Sequence, residues 1–160
     1  AVFHLAQHLD DTDPQIRALA CGAIGELGDP ASVDKLLPML ADGVPQVRVA
    51  ATWALGNIRA HGAINSILVG LRDAEEQVRL ESAKALGVLG ASEAVSDLII
   101  ALGDKSVLVR REVVASLGRI GHTSALEPLK QLLQDPDSDI RTRVDTAIQE
   151  ILLRSQDADE

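Results

Sequence analysis

Hydrophobic and polar positions along this chain return with one fixed period. Leu9, Leu40, Leu71, Leu102 and Leu133 are spaced 31 residues apart. The same step links Asp11, Asp42, Asp73, Asp104 and Asp135, and again Arg17, Arg48, Arg79, Arg110 and Arg141. Other columns keep their character rather than their identity: Ile16, Val47, Val78, Val109 and Ile140; Ala23, Ala54, Ala85, Ser116 and Ala147; Ile24, Leu55, Leu86, Leu117 and Ile148. Glycine recurs at 25, 56, 87 and 118 and then gives way to Gln149. Self-similarity of this kind marks a repeat architecture, in which each unit stacks on its neighbours to bury an apolar face it cannot bury alone.

Each period predicts two helices. The first runs from about Gln15 to Leu27, with Ile16, Ala20, Ala23, Ile24 and Leu27 forming an apolar stripe at helical spacing. Asp13 before Pro14 reads as an N-cap followed by proline at the first helical position, and Gly28 reads as the stop. Asp29-Pro30 starts a second helix in the same way, over about Ala31 to Leu40, with Val33, Leu36, Leu37 and Leu40 inward. The predicted fold class is all-α: an α-α superhelix, a solenoid of stacked antiparallel helix pairs. Its units fall at about 10–40, 41–71, 72–102 and 103–133, in a single domain spanning 1–160.

The run from Val47-Arg48 through Ala54-Leu55-Gly56, repeated from Val78-Arg79 to Ala85-Leu86-Gly87, resembles the HEAT-like repeat named after the phycobilisome lyases. The resemblance covers essentially the whole chain. It implies the solenoid fold, and it places the first helix of each unit on the concave side. It does not single out a function, because this repeat serves lyases, hydroxylases, scaffolds and artificial binders alike.

The two ends depart from the pattern. Residues 1–9 read as a second helix without its first, since Val2, Leu5, Ala6 and Leu9 occupy the columns of Val33, Leu36, Leu37 and Leu40. Phe3 stands in an otherwise polar column, which suggests a covering segment and hence a longer protein. Residues 134–160 read as a capping helix and tail: Asp145 and Gln149 replace small residues, and Ser155 to Glu160 is read as a frayed acidic end.

Composition narrows the function classes. The chain is 46% hydrophobic but only 1% aromatic, so its core must be built from Leu, Ile, Val and Ala. A net charge of −9 argues against nucleic acid, whose binders carry a basic face. No apolar run approaches membrane-spanning length and no secretory leader is visible, so the expected setting is cytoplasmic. One cysteine excludes an intrachain disulfide and any multi-cysteine metal site.

Candidate chemistry is sparse. The Asp11, Asp42, Asp73, Asp104, Asp135 and Arg17, Arg48, Arg79, Arg110, Arg141 columns read as a structural ladder, each arginine fork binding an aspartate of its own or the next unit. His4 and His8 are spaced as a metal pair on a helix face but lack a third ligand. The His-Glu motif that the resemblance implies for the hydroxylases is missing. His61 and His122 fall in turns, where solvated side chains are expected, and Cys21 falls in a column of small residues, as an inert buried thiol would. No catalytic residue, metal site or cofactor is assigned.

What remains is the outward surface of the first helices. Its columns vary: Leu19, Val49, Trp53 and Leu80 are apolar, and Lys84, Arg111 and Arg119 are basic. Counted over those columns the net charge is only −1, much less acidic than the remainder. Exposed tryptophan and arginine are what interface anchors are made of. The sequence therefore predicts a non-enzymatic protein- or peptide-binding scaffold that uses this face. The alternative, implied by the resemblance, is a bilin lyase-like or chaperone-like subunit acting on phycobiliproteins.

Overall fold

A computed structural model describes residues 2–157. Among them it contains ten α-helices, six short 3-10 segments and no strand. The first helices of the units are α2 (Pro14–Leu27), α4 (Pro45–Asn57), α6 (Glu76–Leu89) and α8 (Val107–Ile120), followed by the long terminal α10 (Ser138–Asp157). The second helices are α3 (Val33–Leu36), α5 (Ile64–Gly70), α7 (Val95–Ala101) and α9 (Leu126–Gln131), and α1 (Val2–Ala6) precedes the first full unit.

Local chemistry sets the boundaries. Asp13 accepts a hydrogen bond from the Gln15 N–H at 2.8 Å, and Pro14 opens α2. Gly28 closes it in the left-handed region at φ 66°. Asp29 caps the next turn through the Ala31 N–H at 3.0 Å. The continuous second helix expected over Ala31 to Leu40 is not what forms. That stretch is a 3-10 turn (Pro30–Ser32), α3, and a second 3-10 turn (Leu37–Ala41). Pro38 lies in its interior, lacks an N–H and crowds the preceding turn, so the chain tightens there.

Every first helix packs along the first helix of the next unit, from α2 through α10. Each second helix lies chiefly against the first helix of the following unit, and neighbouring second helices touch far less. One continuous apolar core results, running from Leu9 to Ile151. Ile24, Leu36, Leu55, Ile67, Leu86, Leu98, Leu117 and Leu129 are its fully buried centres. The glycine column permits the close approach: a Cβ on Gly25 would stand 2.7 Å from Ala54 Cα, and one on Gly87 would stand 2.7 Å from Ser116 Cβ. Gln149 fills that column in α10, on which no further helix stacks among the described residues, and both it and Asp145 are exposed.

Three expectations are corrected. Ile16 and Leu27, placed inward by periodicity, are 37% and 49% exposed, because among the described residues no first helix packs on that side of α2. The frayed tail from Ser155 is instead helical as far as Asp157; Ala158, Asp159 and Glu160 lie outside the described residues, as does Ala1 of the N-terminal partial unit. His8 does not share a helix face with His4, since α1 ends at Ala6.

One residue sits against its backbone preference. In the column of Gly28, Gly90 and Gly121, all left-handed, stands Arg59 at φ 57°. Its Cβ is crowded in that region, whereas glycine's absence of one is not. Arg59→Gly should therefore raise stability by about 1 kcal/mol. Chemical denaturation of the two proteins measures this, with the midpoint expected to rise at unchanged slope.

Candidate functional site

The ladder occupies the loops that lead into the first helices. Arg17 forks onto Asp42, with Nε to Oδ2 at 2.8 Å and Nη2 to Oδ1 at 2.9 Å. Its remaining nitrogen, Nη1, donates to the Asp11 carbonyl at 2.8 Å. Arg48 holds Asp73 and the Asp42 carbonyl in the same way, and Arg79 holds Asp104 and the Asp73 carbonyl. Arg110 reaches Asp135 at a looser 3.3 Å and the Asp104 carbonyl at 3.0 Å. Each arginine thus uses its own unit's aspartate as a carbonyl and the next unit's aspartate as a carboxylate. Each carboxylate also accepts the N–H two residues ahead, which folds the turn before the helix. At the end of the series Arg141 has only the carbonyls of Asp135 and Pro136.

The pairs are withdrawn from water, with the Arg79 and Asp104 side chains 7% and 9% exposed. The Arg17 guanidinium holds the Asp42 carboxyl below its ordinary value of 3.8. Burial is the largest single influence on Asp73 and Asp104 and would raise them, but the hydrogen bonds from Arg48 and Arg79, those from the Glu75 and Ser106 N–H groups and the attraction of nearby cations together outweigh it, and these carboxyls also lie low. A carboxyl more acidic folded than unfolded stabilises the fold fully above its unfolded value and loses that contribution as pH falls through the folded one. Thermal stability should therefore drop as pH is lowered below about 4, and Asp104→Asn should flatten that dependence in a Tm-against-pH series.

The outward face of the first helices is long and shallow rather than a single cavity. Leu19 is 73% exposed and lines a cleft of about 840 Å³ between α2 and the start of α4, bounded also by Ala18, Gly22, Glu26 and Gln46. Val49 lines a second depression between α4 and α6, and Arg119 a third between α8 and α10. Trp53 is half-buried: its ring lies across Gly25 of the preceding helix, and its outer edge remains on the surface. Leu80 is half-buried and Lys84 exposed. The seven residues are strung along one row of helices and do not converge on a point.

The basic side chains are not all free. Arg111 Nη2 binds Asp137 at 2.8 Å and its Nε lies 3.1 Å from Asp139. Arg119 is held by Glu112 at 2.7 Å. These contacts cross 26 and seven residues of sequence and follow no repeat column, so periodicity gave no sign of them. Lys84 forms no ion pair among the described residues. Beside it, burial pushes the half-buried Glu81 carboxyl up, against the pull of Lys84 and with the push of Glu112. Glu81 and Glu112 share one outward repeat column and Lys84 lies three residues along α6, but the burial of Glu81 appears only once the helices stack.

Elsewhere the chemistry is quiet. Cys21 is fully buried and its thiol is pushed up to about 11 by that burial. His4 and His8 are exposed, with the His4 ring edge-on to Phe3 at 5.8 Å. His61 and His122 are exposed too, yet each serves its turn: His61 Nδ1 meets the Arg59 carbonyl at 2.9 Å, and His122 Nδ1 accepts the Ser124 N–H at 3.2 Å. No three His, Cys, Asp or Glu among the described residues are grouped to hold a metal ion. No helix among them is long and apolar enough to cross a membrane.

The helix pairs, their 31-residue register and the stacked first helices define an α-solenoid, and the HEAT repeats family model matches residues 3–68 and 64–149. The chain belongs to the HEAT repeat family. Among proteins of curated function, none matches it. Among solved structures it is similar to the complex of CpcE and CpcF of phycocyanin lyase from Nostoc sp. PCC7120, at TM-score 0.85 and 24% identity over 96% of this chain. It spans 65% of the length of that chain. It is also similar to a designed armadillo repeat protein in complex with the peptide (KR)4, at TM-score 0.74 and 21% identity over 92% of this chain and 80% of that one. Human deoxyhypusine hydroxylase follows at TM-score 0.59 and 22% identity, over 96% and 74% of the two chains. At these identities the likeness is one of fold.

Breaking one interior rung leaves a buried charge without its partner. Arg79→Ala should cost about 3 kcal/mol. Arg141→Ala, which removes no carboxylate contact, should cost clearly less. Denaturant titration of both variants tests the ladder, and equal losses would count against it.

Proposed function

We propose that this protein is a non-enzymatic scaffold that holds a peptide or protein segment along the outward face of its first helices. The observation that carries this reading is the shape of the face. Depressions open between α2 and α4, between α4 and α6 and between α8 and α10; Leu19 lines the first and Val49 the second, and Trp53 and Leu80 lie on the same row of helices. Such a row fits an elongated ligand that drops a side chain at each step, and it offers no enclosed site for a small substrate. The first helices pack along one another more extensively than the second helices do, as the inner row of a curved stack would.

Because Arg111 and Arg119 are already neutralised by their own carboxylates, recognition rests on the apolar stretch, with Lys84 as the available cation. Trp53 is the natural anchor: its ring is fixed against Gly25, so little side-chain freedom is lost on binding. The designed armadillo protein that holds a peptide on the same fold supports this reading.

A second reading, a bilin lyase-like or chaperone-like subunit, draws on the likeness to the phycocyanin lyase complex and on a cleft large enough for a small molecule.

Trp53 is the sole tryptophan, so its emission reports directly on the face. A peptide from a display selection should shift that emission on binding, and Trp53→Ala should weaken its binding by about 2 kcal/mol, roughly 30-fold. Unchanged affinity overturns the reading. A bilin absorbance change without peptide binding would favour the second.

A further inference from the structure

The outward side of α2, α4 and α6 carries a polar column as regular as the apolar ones. Gln15, Gln46 and Gln77 are each the second residue of their helix, one unit apart, and all three are exposed. None of their side-chain amides takes part in a hydrogen bond among the described residues. The first turn of a helix favours a carboxylate, because the free N–H groups there leave a partial positive charge. Three neutral amides in a row are therefore not what helix stability alone selects. The column ends where the surface changes. Leu108 takes its place in α8, and in α10 it is Asp139, which is held by Arg111 and Arg143.

Gln46 and Gln77 belong to helices that have another first helix packed on either side. With Pro45, Val49 and Glu75 they line the depression of about 420 Å³ between α4 and α6. Gln46, Val49 and Trp53 follow the spacing of one helix face, as do Gln77, Leu80 and Lys84. A line of amides thus crosses the stack beside a line of aliphatic side chains, the second about 4.5 Å further along each helix at 1.5 Å per residue. The charged side chains that border this stretch, Glu26, Glu75, Glu81 and Lys84, are few and of mixed sign.

A primary amide is donor and acceptor at once, which is what a peptide backbone also presents. The period of the row decides which backbone fits. Packed helices lie about 8–10 Å apart. A polyproline-II chain has three residues per turn and rises about 3.1 Å per residue, so every third side chain returns to one face after about 9.3 Å. A β-strand returns to the same face after about 6.7 Å and is out of step by the second unit. An α-helix has already committed its carbonyls internally. Polyproline II leaves its carbonyls free, and a proline-rich segment adopts it before binding, so little freedom is lost.

We propose that the stretch from α2 to α6 takes an uncharged, proline-rich segment in the polyproline-II conformation, with an aliphatic residue at every third position. The amides of Gln15, Gln46 and Gln77 donate to its carbonyls. Its aliphatic side chains seat between successive first helices, beside Val49 and Leu80 and against Trp53. This proposal rests on the peptide-binding reading and narrows it to one backbone and one side-chain period.

The probe is a capped, fluorescently labelled peptide of four Pro-Pro-Leu repeats, titrated with the intact protein and read by anisotropy. It should bind with a Kd below about 1 mM. A peptide of three Pro-Pro-Pro-Leu repeats has the same length but sets leucine out of step, and it should bind at least tenfold more weakly. Gln46→Glu combined with Gln77→Glu keeps the side-chain shapes and removes the donors. That variant should bind the Pro-Pro-Leu peptide at least tenfold more weakly, with Tm unchanged or higher, since a carboxylate suits the first turn. Absence of binding up to about 1 mM, equal binding of the two peptides, or full affinity in the double variant overturns the proposal. If the display-selected peptide still binds in a Trp53-dependent way after such a result, the peptide-binding reading survives alone. If that peptide fails as well, both fall.

Discussion

The arginine that joins two consecutive units is the constraint on which the rest of this structure depends. A guanidinium has one fork and one further nitrogen, and here both are used, for the next unit's carboxylate and its own unit's carbonyl. A planar group with its donors so assigned fixes direction as well as distance. Successive first helices are thereby set at one offset, and the glycine column lets them close to contact at that offset. Hydrophobic burial provides the driving force, but burial has no direction; the rungs decide which packing the leucines and valines adopt.

The same geometry explains the character of the outward surface of the first helices. Where helices approach so closely, the grooves between them are shallow, and a long side chain from one helix lies over the next. Trp53 lies across Gly25 and Arg119 across Gly87. The face consequently neutralises much of its own charge before any partner arrives. On the proposed reading, a ligand would displace little water from exposed ions there and would meet a preformed relief of apolar side chains instead.

Much of this was legible in the sequence because repetition is a strong signal. The first helix was placed within one residue of its observed start, since Asp13, Pro14 and Gly28 encode both ends locally. The second helices were less legible, because Pro38 breaks a stretch whose apolar spacing still looks helical. A periodic pattern also treats every unit as interior, so it could not show that Ile16 and Leu27 lie open while their counterparts are covered. The pairing of Arg111 with Asp137 was hidden for a related reason: the contact lies between units but outside the repeat columns.

The double use of each aspartate has one further consequence. Asp73 looks backward through its carboxylate and forward through its carbonyl, and Asp104 does the same. If the segment 73–103 were excised, Arg48 would meet Asp104 in the setting where it now meets Asp73, and the ladder on either side would find the groups it expects. The molecule's length is in this sense a free variable. Whole units can be gained or lost by recombination without the ladder having to be reinvented, and the length of the stack can change while its joints stay the same.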